Sequence, residues 1–186
     1  FKPLYESPEI LKIGQNIKYD MEVLMNYGVR LSAPMFDTMI AHYVLQPEQK
    51  HNMDILAETL LNYQTVHIDE LIGPKGKGQK SMRDLSPASV CDYAAEDADI
   101  TLRLYNVLKP RLKETNVEQL FYDIEMPLVP VLAEMETTGV RLDTEALAET
   151  SKVLTERMKQ IERNIYELAG HEFNIASPKQ VGEVLF

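Results

Sequence analysis

The sequence predicts a helix-dominated α/β fold over residues 1–116 and an all-α continuation over residues 117–186. Three observations carry that prediction. Only residues 11–14 and 33–37 alternate as short strands do. Apolar residues recur at helical spacing nearly everywhere else. The charge also changes along the chain: 13 basic and 16 acidic groups over 1–116, a net of −3, against 6 basic and 13 acidic over 117–186, a net of −7. A soft boundary therefore falls near Asn116.

The elements follow in order. Residues 11–14 form a strand ending at Gly14, and 33–37 form a second. Two short strands do not make an independent sheet, so either further strands lie upstream of Phe1 or these segments are not strands. Met21, Leu24 and Met25 mark a helix over 20–27, Ile40, Tyr43 and Val44 one over 38–45, and Ile55, Leu56, Leu60 and Leu61 one over 53–61. Residues 73–80 hold three Gly, one Pro and three Lys, which reads as a solvated loop or a mobile phosphate contact. It is not a P-loop, because Gly-Lys-Ser/Thr at a helix start is missing. Pro87 opens one or two helices over 87–112, with Pro110 costing a backbone bond near the end. A helix over 117–138 is interrupted by Pro127 and Pro130. Asp143 caps a long helix that Gly170 stops, and Ser177 with Pro178 starts another. The apolar stripe of the long helix (Leu147, Val153, Leu154, Met158, Ile161, Ile165, Leu168) fits packing against a partner helix.

Composition narrows the function. The 186 residues are 45% hydrophobic and 26% charged, ordinary globular usage. A net charge of −10 argues against a protein that coats nucleic acid through a basic surface, although an acidic chain can still handle nucleic acid through metal ions or a local basic patch. The single cysteine, Cys91, excludes an internal disulfide framework and reads as a reducing, cytoplasmic setting. No apolar run approaches the ~20 residues of a membrane helix. A start at Phe1 rather than Met, and an apolar end at Val184-Leu185-Phe186, suggest a fragment.

The chemistry-bearing residues are carboxylates. No zinc spacing, serine triad or dinucleotide fingerprint occurs, and His42, His51, His67 and His171 are scattered and read as surface or capped residues rather than ligands. In Gly14-Gln15-Asn16-Ile17-Lys18-Tyr19-Asp20, Asn16 and Asp20 are four apart and can share a helix face. In Tyr93-Ala94-Ala95-Glu96-Asp97, so can Tyr93 and Asp97, and the small Ala94, Ala95 and Ala98 allow close approach. Taken alone, the first reads as a helix start capped by Asn16, and the second as a surface Asp beside a buried Tyr. Carboxylates also hold divalent ions, and a neighbouring phenol can orient water.

Together, Asn-x-x-x-Asp and Tyr-x-x-x-Asp resemble the second and third motifs of the proofreading 3′→5′ exonuclease family. Gly14 to Asp20, Phe36-Asp37-Thr38-Met39, His51-Asn52-Met53-Asp54-Ile55-Leu56-Ala57 and Tyr93 to Thr101 are all similar to the form joined to bacterial family-A DNA polymerases. So are Ile124 to Leu132, Gly139-Val140-Arg141-Leu142-Asp143, and Phe173 to Gln180 at the thumb entry. The resemblance implies a truncated ribonuclease-H-like domain over 1–116 and the beginning of the polymerase domain over 117–186. It implies Asp20 and Asp97 as ligands of two divalent ions (Mg²⁺ or Mn²⁺), Tyr93 as the residue positioning the attacking water, and Asn16, Gln15, Tyr19 and Lys50 as contacts for DNA with a single-stranded or frayed 3′ end. Lys50 stands where the family has Arg, which weakens bidentate phosphate recognition. No Asp-x-Glu, the family's first motif, occurs before Asn16. The chain alone is therefore predicted to be neither a competent nuclease nor a polymerase. The remainder of the same polypeptide is its first partner, and no membrane partner is implied. A ribonuclease-D-like exonuclease and a vestigial, non-catalytic module are the rival readings.

Overall fold

The structure is a computed structural model that describes all residues, Phe1–Phe186. Contacts divide it into two compact units, Phe1–Gly139 and Val140–Phe186.

In the first unit a short helix, α1 (Lys2–Tyr5), precedes strand β1 (Lys12–Gly14). Helix α2 (Ile17–Met25) then crosses over to strand β2 (Met35–Asp37). The strands are parallel, with Lys12 opposite Met35, Ile13 opposite Phe36 and Gly14 opposite Asp37. Parallel pairing needs such a crossover, because a tight turn can only reverse the chain. Helices α3 (Thr38–Leu45), α4 (Met53–Leu61) and α5 (Ile68–Ile72) follow, then a single 3₁₀ turn, Met82–Asp84. The 73–80 loop has exposed lysines at 75, 77 and 80 and no regular structure.

Helix α6 (Pro87–Glu114) is the spine of the unit. Ile100, Leu104, Leu108 and Leu112 recur every four residues, and all four are fully buried. Each such side chain contributes about 1.5–3 kcal/mol by leaving water. The stripe belongs to a core shared with Phe36, Ala41, Leu56 and Phe121. Pro110 lies inside α6, which continues to Glu114. The carbonyl it leaves unpaired, four residues back, belongs to exposed Asn106, where water can replace the lost donor.

Past α6, Asn116 takes a left-handed backbone (φ 58°) and stops the helix. The path resumes as α7 (Glu118–Leu120), a π-helical turn at Phe121–Glu125, and α8 (Met126–Thr138). The expected interruption by Pro127 and Pro130, a bend or stagger of the helix, takes the form of a widened turn. The π turn lies immediately before these prolines and carries the chain past their missing donors. Helix α8 packs on α2, where Lys18 pairs with both Glu22 and Glu136. The contact division after Gly139 and the charge boundary near Asn116 describe different properties: residues 117–139 are acidic, yet they pack with the first unit.

The second unit contains α9 (Thr144–Ala169) and α10 (Pro178–Leu185). Its ends are as expected. The Asp143 carboxylate accepts from the Ala146 amide at 2.9 Å, Gly170 ends α9 at φ 74°, and Ser177 caps α10. Tyr166 meets Phe173 edge-on at 5.8 Å. The apolar stripe of α9 behaves differently from expectation: α9 buries none of its residues, and Leu147, Val153, Leu154, Met158, Ile161 and Leu168 are exposed. No helix of the protein is long and apolar enough to cross a membrane.

Candidate nuclease site

The β1–α2 turn brings the first motif to the surface. Gly14 is required there, because a Cβ would lie 2.9 Å from the Ile17 side chain. Asn16 adopts φ 62° and ψ 51° at the head of α2 and makes no side-chain cap bond. The sequence reading of Asn16 as the cap is therefore corrected: the cap comes from another strand. Asp37, at the end of β2, accepts from the Ile17 amide at 2.7 Å and the Asn16 amide at 3.2 Å. Asn16 thus enters α2 with a left-handed backbone and no side-chain bond to the helix amides, and the Asp37 carboxylate takes the capping position.

Gln15 is fixed from two sides. Its amide nitrogen donates to the His51 carbonyl at 2.7 Å. The Thr38 hydroxyl shares its proton between Gln15 Oε1 and the Gly14 carbonyl, 3.1 Å away. One turn into α2, Asp20 is solvent-accessible by area yet borders two recesses. Burial, and secondly the negative charge of Asp37, hold its carboxyl above the usual carboxylate range.

The opposite wall belongs to α6, started by Ser86 and Pro87. Ala94, Asp97, Ala98, Thr101 and Leu102 face a cleft of about 630 Å³, and Gly14, Gln15 and Asp20 face it from the other side. Asp97 is half-buried, and burial is the main cause raising its carboxyl pKa. Interaction with Tyr93 opposes that rise, while the charges of Glu96 and Asp54 add to it. Half-buried Tyr93 is likewise raised, by burial first and then by Asp97 and Asp54, so its phenol stays protonated.

The structure thus brings Asp20, Asp97 and Gln15 to one cleft, with Tyr93 one helical turn before Asp97. Asn16 is half-buried at the turn, whereas Tyr19 and Lys50 are exposed and do not face the cleft. Neither Asp20 nor Asp97 is paired with a basic side chain, and two unpaired, partly desolvated carboxylates are hard oxygen donors that fit a divalent cation. They make a partial set, since no cluster of three or more His, Cys, Asp or Glu is assembled.

Two groups near the site had escaped the sequence reading. His42, expected at the surface, is buried, and its Nδ1 lies 2.7 Å from Nδ1 of His51. His42 follows Ala41 on the inner face of α3, a placement that period alone allows but does not demand. Asp37 stands in the sequence as the end of a short strand and as part of the family resemblance. Its position one residue before Thr38, an extended residue ahead of an apolar helix, is the ordinary signature of a cap and does not reveal the second helix that it holds.

The profile of the 3′-5′ exonuclease family matches residues 1–113, and that of DNA polymerase family A matches residues 144–186. DNA polymerase I of Pseudomonas aeruginosa is 42% identical over the whole chain, and that of Rhizobium leguminosarum is 40% identical. The chain spans only 21% and 18% of these relatives, about a fifth of their length. Among solved structures, the POL domain of Pol1 from M. smegmatis, in complex with DNA primer-template and dNTP, superposes with a TM-score of 0.81 at 24% identity, over 100% of this chain and 29% of that one. Brucella melitensis NrnC superposes at 0.60 with 23% identity, over 73% and 63%. These two likenesses show the fold alone; together with the family match they bear out the truncated ribonuclease-H-like exonuclease fold expected from the sequence. The family match covers more than half of the chain and includes both carboxylates of the cleft, and the chain belongs to the 3′-5′ exonuclease family, in the region it shares with DNA polymerase I.

Proposed function

We propose that this chain is the segment of a DNA polymerase I that carries two of the proofreading carboxylates, and that it acts in phosphodiester hydrolysis from a 3′ end. One observation carries the reading: Asp20 and Asp97, remote in sequence, line one cleft. Two divalent ions, Mg²⁺ or Mn²⁺, would supply Lewis-acid stabilisation of the attacking and leaving oxygens. Asp20 and Asp97 would hold them, with further donors from the longer polypeptide. The Tyr93 phenol, kept protonated, would orient the attacking water by donating or accepting a hydrogen bond. Gln15, locked by His51 and Thr38, presents a preorganised edge to the terminal nucleotide. Asn16, Tyr19 and Lys50 would contact the unpaired strand leading to the cleft. The products are nucleoside 5′-monophosphates, and a frayed or mispaired end is preferred because only an unpaired end enters. The setting is cytoplasmic, with DNA as partner.

A non-catalytic reading draws on the partial donor set. The two separate in the full-length polypeptide. Asp97→Ala is expected to abolish 3′→5′ digestion of single-stranded DNA in Mg²⁺ and to leave polymerisation nearly intact. Digestion that survives the substitution removes Asp97 from the site, and an unmodified polypeptide that does not digest DNA favours the non-catalytic reading.

A further inference from the structure

Asp37 accepts four backbone hydrogen bonds, more than any other side chain in the protein. It is 1% exposed. With Oδ1 it caps its own helix, α3, taking the amides of Met39 (2.8 Å) and Ile40 (3.2 Å). An N-cap ordinarily stops there. Here the same carboxylate also receives the first amides of α2: Oδ2 accepts from Ile17 and Oδ1 from Asn16. Two helices of nine and eight residues therefore start on one buried anion. The partial positive charge at each N-terminus favours that anion, and four N–H groups replace the water it has lost.

The arrangement has a consequence for the cleft. Asn16 supplies no side-chain cap for α2, so the orientation of this helix depends on Asp37. Between Gly14 and Ile17 the chain turns through the left-handed Asn16, and that turn aims Gln15 and the first turn of α2, which bears Asp20. Strand register places Gly14 beside Asp37, so the carboxylate sits at the pivot of the turn. We propose that Asp37 is a positioning residue: through the Asn16 and Ile17 amides it sets the wall of the cleft that carries Gln15 and Asp20. It touches neither the nucleic acid nor the reacting atoms. The inference rests on the proposed function for its catalytic consequence, and on geometry alone for the turn.

The test uses the full-length polypeptide with Asp37→Ser and Asp37→Asn, and with Asp143→Ala as a cap removed from α9. Serine still caps α3 but is too short to reach α2. Amide hydrogen exchange is expected to show protection kept at Met39 and Ile40 and lost at Asn16 and Ile17. Digestion of single-stranded DNA is expected to fall about a hundredfold in kcat, the cost of roughly 1 Å of misplacement, with KM within about twofold. Asp143→Ala is expected to leave digestion unchanged. If Asp37→Ser does not fold, Asp37→Asn decides, because it keeps the volume and one acceptor; the expected loss in kcat is then about tenfold with the fold intact. Digestion within about twofold of the parent in the folded variants overturns the proposal, as does unchanged protection at Asn16 and Ile17. If the unmodified polypeptide does not digest DNA, the proposed function fails, and the exchange pattern alone still upholds or overturns the role of Asp37.

Discussion

Replacing Phe36 tests the packing on which the site is built. Phe36 is fully buried in β2, one residue before Asp37. Its ring centroid lies 4.8 Å from Tyr105 at 89° and 4.8 Å from Phe121 at 48°, with Tyr122 further off at 6.5 Å. Phe36→Ala removes the whole ring and leaves a cavity between α6, the π turn and β2, at a cost of about 3–5 kcal/mol. Phe36→Leu keeps most of the buried area but loses two close aromatic pairs of about 0.5–1.5 kcal/mol each, so about 1–3 kcal/mol is expected. A domain of ordinary stability has only about 5–15 kcal/mol to lose. With a urea slope of about 2 kcal/mol per M, the midpoint falls by about 2 M for alanine and about 1 M for leucine. The chain has no Trp, so near-ultraviolet circular dichroism of the tyrosines reports the transition. A midpoint shift below about 0.5 M for Phe36→Ala, or equal shifts for both variants, would refute this account of the core.

Two further outcomes follow from local geometry. Gly14→Ala places a methyl group 2.9 Å from Ile17 Cβ and Cγ1, so it is expected to cost about 1–3 kcal/mol by overpacking and to loosen the β1–α2 turn; a neutral midpoint would contradict the close approach. His42 is held below the ordinary histidine pKa by burial first and by His51 second. Between that depressed value and about 6.5, the unfolded chain binds a proton that the folded chain does not, so stability rises with pH in that window and is lost as the pH is lowered through it. His42→Leu is expected to flatten the fall between about pH 7 and pH 5 in urea titrations, and an unchanged slope would assign it to another group.

Much of this was legible in the residues. The helices over 38–45 and 53–61 and the caps at Asp143, Gly170 and Ser177 match their expected bounds, because each is set by local period and local capping. Both strands appeared with slightly shorter limits. The short helices α1 and α5 had too few residues to show a period. The π turn before Pro127 is the form taken by the bend or stagger expected from the two prolines, and proline spacing alone does not specify a widened turn. At the site, Asp20 and Asp97 were identified through a pattern shared with a family; what brought them to one cleft is the packing of α6 against β1, the strand that turns directly into α2. Asp37 depends on a contact with an element twenty residues away and His42 on the fold of the following segment back onto α3, neither of which a periodicity encodes.

The central claim is that Asp20 and Asp97 face a common cleft and can share a cation. Calorimetric titration of Mn²⁺ into the 186-residue chain, with Asp20→Ala and Asp97→Ala beside it, tests that claim most directly. The expected result is a single weak binding event that disappears in each substitution, since each carboxylate alone is a poor ligand. Binding that persists unchanged in both variants would contradict the account, because the cation would then be held elsewhere.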